Sequence, residues 1–283
     1  MTKKTSVGSK LYLFLVFLFL YAPIAVLIIF SFNEGKSTSV FEGFSLYWYK
    51  ELFNDAATLT AFKNSLIIAV VSSIISTVMG TTAATAIYGY KNKLFRQSVM
   101  TVTNIPMMNP EIVTGISMML LFVFIGAMFG KTGTLGFVTL TIAHVTFELP
   151  YVILNVLPKL KQTDPHLAEA AQDLGCTPFQ AFFKVVLPAI MPGIVAGLMM
   201  AFTLSIDDFI ISYFVSGTTS QTLPIRIFAM TKRRVTPDMY ALSTLIFLAL
   251  LVHLVVSNVI SARGDKKLSR KSQREGSGSR GRW

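Results

Sequence analysis

A few acids and one imidazole lie inside long apolar runs of this sequence, and they are its best candidates for chemistry. They are Glu111, the pair His144 and Glu148, and the adjacent acids Asp207 and Asp208. A charged side chain is costly in lipid, so such residues face a cavity or bind one another. One helical turn separates His144 from Glu148, which favours a buried pair, or a bond from Glu148 to a neighbouring helix, over a ligand contact. Glu148 nevertheless stays among the candidates.

Glu111 stands at a predicted interruption of an apolar helix. Pro106 and Pro110 are four residues apart, and each removes a backbone hydrogen-bond donor. A break at membrane depth is tolerated only where it is buried in protein or lines a cavity. We predict that Glu111 lines such a cavity. The alternative is a structural acid that binds the freed backbone groups.

Asp207 and Asp208 lie about 100° apart around a helix, so they cannot share one contact. Each is costly against lipid, and at least one is expected to line a cavity. Asp208 shares a helix face with the hydroxyl groups of Ser205 and Ser212, whereas Asp207 points away from most small residues of the run. We therefore prefer Asp207 as the cavity residue and keep Asp208 as the alternative.

The composition requires a membrane environment for these residues. The chain has 283 residues, of which 53% are hydrophobic and 14% are charged, and its mean hydropathy is +0.61. Runs of about 20 apolar residues are long enough to cross a bilayer. We predict an all-α integral membrane protein with six spans, and the first span is not a cleaved signal peptide. The predicted spans are 11–32, 65–88, 99–126, 135–157, 189–214 and 239–262.

Two of these spans carry small residues at every fourth position. They are Ser72, Ser76, Gly80 and Ala84 in the second span, and Ala189, Gly193, Gly197, Ala201 and Ser205 in the fifth span. Small side chains let two helix backbones approach closely within a membrane. Both spans are therefore predicted to pack tightly on another helix through these faces.

Residues 159–188 form a polar connection between the fourth and fifth spans. Asp164 can cap a short helix with Pro165 in its first turn, and Gly175 can close that helix with a positive φ. Thr177 and Gln180 have the spacing of a capping box for a second helix, which is predicted to run to Pro188. The small-residue face of the first helix has no lipid to pack on, so it is expected to contact a soluble partner; its members are Ala168, Ala170 and Ala171.

This connection resembles the EAA loop of ABC-importer permease subunits. The matching residues are Glu169, Ala170, Ala171, Gly175, Leu187 and Pro188. The resemblance implies a type I ABC-importer permease fold in which the loop is the coupling helix that docks into an ATPase subunit. It also implies two copies of that subunit, a homologous second permease and an extracellular binding protein. No Walker A loop is visible, so the chain itself is expected to be no enzyme and to hold no cofactor.

Within that family the sequence is similar to polyamine (spermidine/putrescine) importer permeases of the PotC type. The similarity rests on Asn109-Pro110-Glu111-Ile112-Val113, on Ser205-Ile206-Asp207-Asp208 and on Trp48-Tyr49. Intramembrane acids without a basic residue clearly inside a span also suit a cation. The alternatives are an ABC permease for ferric iron or a phosphonate, or a secondary transporter. Trp48 is predicted to lie near the outer mouth of the path, although an interfacial belt is the default role of such an aromatic stretch.

An even number of spans places both termini on one side of the membrane. Basic residues and the EAA resemblance put that side in the cytoplasm of a bacterium, with the chain in its plasma (inner) membrane. The net charge of +11 owes much to a basic tail, residues 264–283, which is predicted to be flexible. A juxtamembrane anchor facing anionic lipid explains this tail better than nucleic-acid binding does.

Overall fold

The computed structural model describes residues 7–37, 40–232 and 237–278. Its regular structure within these ranges is helical, apart from one isolated bridge between Asn33 and Phe44. In this described part of the chain, six helices are long and apolar enough to cross a membrane: Gly8–Phe30, Ala56–Gly89, Glu111–Met128, Phe137–Gln162, Pro178–Asp207 and Pro237–Val256. The predicted all-α architecture with six spans is confirmed.

The helices are numbered here in chain order. They are α1 (Val7–Phe30), α2 (Tyr47–Asn54), α3 (Ala56–Gly89), α4 (Lys93–Met108), α5 (Glu111–Met128), α6 (Phe137–Gln162), α7 (Leu167–Asp173), α8 (Pro178–Ala181), α9 (Leu187–Asp207), α10 (Ile210–Val215), α11 (Leu223–Thr231) and α12 (Pro237–Gly278). The chain divides into two compact units, one formed by Met1–Thr60 with Arg226–Leu251 and the other by Ala61–Ile225 with Val252–Trp283. The candidate acids all belong to the second unit.

The predicted third span is interrupted between α4 and α5. Asn109 adopts an extended conformation with φ −81° and ψ 138°, as expected for a residue that precedes a proline. The predicted break is thus present at Pro110, whereas Pro106 stays inside α4. Glu111 differs from its predicted mid-span position, because it is the first residue of the spanning helix α5.

The predicted fifth span also differs from one continuous helix. α9 ends at Asp207 and α10 begins at Ile210. Asp208 is extended with φ −65° and ψ 121°, and its carboxylate accepts hydrogen bonds from the backbone N–H groups of Ile211 and Ser212 at 3.2 and 2.7 Å. A short acidic side chain that binds the backbone just ahead of it competes with the helical ladder, which explains the break.

At its other end the fifth span is longer than predicted, because no break occurs at Pro188 and α8 continues into α9. Pro178–Asp207 is one helical run of 30 residues, and Phe182–Val186 within it forms a π-helical turn. Pro188 cannot donate a hydrogen bond to the carbonyl group of Lys184, four residues earlier. The wider turn, in which the N–H of Leu187 binds the carbonyl group of Phe182, accommodates that missing donor without ending the helix.

Both predicted small-residue faces pack on α6. A Cβ atom at Gly193 of α9 would lie 2.9 Å from the carbonyl oxygen of Asn155, and one at Gly197 would lie 3.3 Å from Val152 Cγ1. From the other side, a Cβ atom at Gly80 of α3 would lie 2.6 Å from the same Val152 atom. The absence of side chains at these glycines therefore sets the separation of α3, α6 and α9, as the sequence predicts.

The last helix differs from the predicted flexible tail. α12 continues from Pro237 to Gly278, well beyond the apolar part that ends near Val256. Lysine, arginine and glutamine have good helix propensity, so nothing in most of the basic segment ends the hydrogen-bond ladder. Residues 279–283 of the predicted tail lie outside the described residues.

Candidate functional site

Three of the predicted acids line one cavity of about 350 Å³ in the second unit. Glu111 comes from the start of α5, Asp207 from the end of α9, and Asp208 from the connection to α10. The remaining wall mixes aromatic, hydroxyl and aliphatic groups, including Thr114, Phe147, Tyr151, Thr203 and Ile211. The cavity therefore lies where the two interrupted spans meet.

The two interruptions are held together by close packing of α5 on α10. A Cβ atom at Gly115 would lie 3.0 Å from Phe214 and 3.4 Å from the Cα atom of Ile211. In the first turn of α5, the side-chain amide of Asn109 donates a hydrogen bond to Thr114 Oγ1 at 3.2 Å. This packing brings the start of α5, and with it Glu111, to the end of α9.

The acids of the cavity differ in their partners. Glu111 and Asp207 are exposed, and among the described residues neither carboxylate has a hydrogen bond or an ion pair within the chain. The side chain of Asp208 is only 5% exposed and is occupied by two backbone N–H groups. Of the three acids, Asp208 is therefore the one that is bound by its own chain within the described residues.

Glu148 lies behind this cavity in a buried polar network. Its two carboxylate oxygens accept hydrogen bonds from Ser72 Oγ at 2.7 Å and from Ser76 Oγ at 2.8 Å, and the side chain has no exposed surface. His144 Nδ1 lies 4.0 Å from the same carboxylate. The structure therefore places Glu148 with a neighbouring helix, the alternative that the sequence favours, and away from the cavity lining.

The serines of α3 are functional candidates that the sequence analysis did not include. Ser72 and Ser76 were assigned to helix packing because their four-residue spacing matches a small-residue face, and they do lie in that face. Two hydroxyl groups one helical turn apart can also donate to the two oxygens of one carboxylate on a facing helix. The signal was therefore present in the sequence, but only the structure identifies Glu148 as the acceptor.

Trp48 belongs to the first unit and is 8% exposed. Its indole Nε1–H donates to the carbonyl oxygen of Asn33 at 2.9 Å. The side chain of Asn33 holds the surrounding loop by donating to the carbonyl groups of Ser37 and Val40 and by accepting from the N–H of Glu42. Trp48 thus anchors the segment between α1 and α2, and its proximity to a path stays a prediction.

The polar connection between α6 and α9 has the predicted glycine end and capping box, but the predicted cap at Asp164 is wrong, because α7 begins at Leu167 after His166 and no side chain caps it. Gly175 has φ +90° and ends α7 with hydrogen bonds from Gly175 N to Gln172 O and from Cys176 N to Ala171 O at 2.8 and 3.1 Å. Thr177 and Gln180 exchange the two hydrogen bonds of a capping box. The two short helices therefore meet at a left-handed glycine, as predicted.

The EAA residues do not all face outward. Ala171 is 7% exposed, so its methyl group packs within this chain, and Leu187 is half-buried against the core beside α6. Ala170, Gly175 and Pro188 are exposed. The free surface also presents Leu174, which is 88% exposed, and Phe179. The sequence analysis did not single out these two apolar side chains, although apolar residues in a polar loop are a usable signal.

Glu169 is exposed and forms an ion pair with His166 at 2.8 Å between Oε2 and Nδ1. The hydrogen bond to Glu169, followed by the charges of Glu169 and Asp164, raises the pKa of His166 above its ordinary value. Asp164 Oδ1 also accepts from the backbone N–H of His166 at 2.9 Å. The start of the polar connection between α6 and α9 therefore carries an exposed ion pair.

Comparison with known proteins agrees with these features. Residues 76–271 match the family model described as "Binding-protein-dependent transport system inner membrane component". The putrescine transport system permease protein PotI of Escherichia coli K12 is 38% identical over 262 residues, which are 93% of each chain. The spermidine/putrescine transport system permease protein PotC of Haemophilus influenzae is 37% identical over 254 residues, 90% of this chain and 96% of the relative.

Solved structures support the fold alone. A bacterial ABC transporter that imports alginate superposes with a TM-score of 0.70 at 18% identity and covers 90% of this chain and 94% of its own. An amino acid ABC transporter superposes with a TM-score of 0.56 at 17% identity. The match covers 76% of this chain and 98% of the transporter chain. The ABC-importer permease fold is thereby confirmed, and the protein is a multi-pass membrane protein. The chain belongs to the family of inner-membrane components of binding-protein-dependent transport systems.

Proposed function

We propose that this chain is the permease subunit of an ATP-driven importer and forms half of the translocation path for a polyamine cation such as putrescine or spermidine. The observation that carries the proposal is the pair of exposed carboxylates, Glu111 and Asp207, that line one cavity without partners among the described residues. The related putrescine and spermidine/putrescine permeases support the choice of substrate.

A polyamine that leaves water loses the hydration of each ammonium group. In a site of low dielectric constant this loss must be compensated by a carboxylate or an aromatic face. The cavity offers both, because Phe147 and Tyr151 stand beside the acids. Its volume of about 350 Å³ lies within the range of small-molecule sites. Asp207 is proposed as the principal ligand, since Asp208 is occupied by backbone N–H groups.

The proposed importer has further subunits. A homologous permease completes the path, an extracellular binding protein delivers the polyamine, and two copies of an ATPase subunit supply the energy. The ATPase docks on the polar connection between α6 and α9, where Leu174 and Phe179 offer exposed apolar side chains. The chain itself needs no cofactor and lies in a bacterial inner membrane with both termini in the cytoplasm.

The test is to remove each charge while keeping the shape of the side chain. Asp207→Asn and Glu111→Gln should each reduce putrescine uptake by about 10- to 150-fold, since hydrogen bonds to charged groups are worth about 1.5–3 kcal/mol. Glu51→Gln is a matched control, because Glu51 is an exposed acid on α2 outside the spans. Uptake is measured in proteoliposomes that contain the whole importer and its binding protein.

The outcome separates a cation path from a structural role. Both variants should assemble with the other subunits in wild-type amounts, and Glu51→Gln should import at the wild-type rate. Wild-type uptake by both cavity variants would show that these acids do not bind the substrate. Competition with unlabelled spermidine, ferric iron and a phosphonate in the same vesicles identifies the class of ligand, and only the polyamine should compete.

A further inference from the structure

His144 bridges the two sides of the break that ends α9. The imidazole lies on α6 and is 1% exposed. Its Nδ1 atom is 2.6 Å from Ser205 Oγ in the last turn of α9, and its Nε2 atom is 3.0 Å from Ser212 Oγ in α10. Nε2 also lies 3.5 Å from Asp208 Oδ2. One side chain of a third helix therefore contacts both helices that the break separates.

The chemistry of an imidazole suits this bridge. In its neutral form one ring nitrogen donates a hydrogen bond and the other accepts one, while each serine hydroxyl group can do either. Both ring nitrogens therefore have a hydroxyl partner. A buried polar group without a partner is costly, so any movement of α10 relative to α9 that breaks these bonds is disfavoured.

The bridge is extended to α3 through Ser205. Ser205 Oγ lies 3.1 Å from Ser72 Oγ, and Ser72 in turn donates to Glu148. All members of this chain of contacts are buried. It runs from Ser72 of α3 through Ser205 of α9 and His144 of α6 to Ser212 of α10, and it ends at Asp208, the neighbour of Asp207 in the cavity wall. Four helices are thus tied together directly behind the acids of the cavity.

We infer that His144 is a positioning residue for the cation site: its bonds to Ser205 and Ser212 fix the break between α9 and α10, so that Asp208 stays withdrawn and Asp207 faces the cavity. The inference rests on the proposed function, because it assumes that Asp207 receives the cation. It assigns to His144 no contact with the substrate. Glu148 supports this arrangement indirectly, because it accepts a hydrogen bond from Ser72, which contacts the Ser205 that His144 binds.

Two substitutions at His144 separate its two bonds. The amide group of asparagine can occupy the place of Nδ1, next to Ser205, whereas the longer glutamine can reach the place of Nε2, next to Ser212 and Asp208. His144→Leu removes both bonds. The bond at Nε2 crosses the break towards α10, so His144→Gln should preserve the site better than His144→Asn. Ser212→Ala removes the same bond from the other side with a smaller change in volume.

The measurement is the number of putrescine molecules imported per ATP hydrolysed, in proteoliposomes with the complete importer and its binding protein. A loss of folded complexes lowers the rate of putrescine import and the rate of ATP hydrolysis together, so the ratio stays unchanged. A misplaced Asp207 lowers the rate of import alone. His144→Leu and His144→Asn should lower the ratio by about tenfold, and Ser212→Ala by about fivefold, as expected for lost buried hydrogen bonds. His144→Gln should retain at least about half of the ratio.

Two reference variants make the result decisive. Thr77→Val removes a buried hydroxyl group of α3 that has no hydrogen-bond partner in the described part of the chain, and it should leave the ratio unchanged. Asp207→Asn gives the ratio of a site without its principal charge. If Asp207→Asn lowers the ratio but His144→Leu and Ser212→Ala do not, the inference about His144 is wrong and the proposed function stands. Equal ratios for His144→Asn and His144→Gln would also overturn the inference. A normal ratio for Asp207→Asn would instead refute the proposed role of Asp207 as the principal ligand of the cation.

Discussion

Leu174 provides a direct test of the proposed docking of the ATPase subunit on the polar connection between α6 and α9, because its side chain is 88% exposed at the end of α7. We expect Leu174→Asp to weaken the attachment of the ATPase subunit. The side chain contacts little of its own chain, so the substitution should change the free energy of unfolding by no more than about 0.5 kcal/mol. Ala171→Glu is a poorer test, since Ala171 is buried within the chain and a carboxylate there would disturb its fold.

The expected magnitude follows from the exposed surface of Leu174. Burying a leucine side chain at an interface contributes about 1.5–3 kcal/mol. Leu174→Asp removes this contribution and adds the cost of an unpaired carboxylate in an apolar contact. A change of about 1.4 kcal/mol corresponds to a tenfold change in an equilibrium constant. The affinity of the permease for the ATPase subunit should therefore fall by about tenfold or more.

The assay is co-purification of the ATPase subunit with the permease pair, followed by measurement of ATP hydrolysis stimulated by the binding protein. Leu46→Asp is the matched control, because Leu46 is also exposed but lies in the segment before α2, on the predicted outer side. This control should retain the ATPase subunit in wild-type amounts. If Leu174→Asp also retains it, and stimulated hydrolysis is normal, the docking role of the segment is refuted.

Two further predictions concern topology and packing. In a background without Cys176, a membrane-impermeant thiol reagent applied to intact cells should label Lys131→Cys but not Lys161→Cys, because residues 127–134 are predicted outside and 159–188 inside; the opposite pattern would invert the orientation. Gly193→Leu should lower the thermal midpoint of the purified complex at a cost of about 1–3 kcal/mol, since a Cβ atom there would lie 2.9 Å from Asn155 O. Gly89→Ala, where no neighbour lies within 4 Å, should leave the midpoint unchanged.

Local rules were sufficient for much of the fold. The end of α7 at Gly175 required only a residue that tolerates positive φ, and the cap at Thr177 required only its spacing to Gln180. The break at Pro110 follows from the missing backbone donor and from the restricted conformation of Asn109. Each of these features depends on a few neighbouring residues, so the sequence alone predicts it.

Features that depend on contacts with another helix were harder to predict from the sequence. The predicted contact of Ala171 with a partner is wrong, since Ala171 is buried within its own chain, and an alanine suits either kind of contact. Glu148 could be recognised as buried, but the sequence does not state that α3 supplies its two hydroxyl donors. At Pro188 the sequence predicts a helix end, whereas a π-helical turn at Phe182–Val186 removes the conflict. Such outcomes are decided by tertiary packing, for which local patterns carry little information.

The adjacent acids Asp207 and Asp208 show how the unpredicted break between α9 and α10 determines which acid is free to face the cavity. On a continuous helix both side chains would project into the surroundings at different angles, and neither would have backbone donors. The break frees the N–H groups of Ile211 and Ser212, and Asp208 binds them. This bonding satisfies Asp208 and leaves Asp207 exposed at the helix end. Two adjacent carboxylates in an apolar segment are therefore compatible with a single available charge, because one maintains the backbone geometry that presents the other.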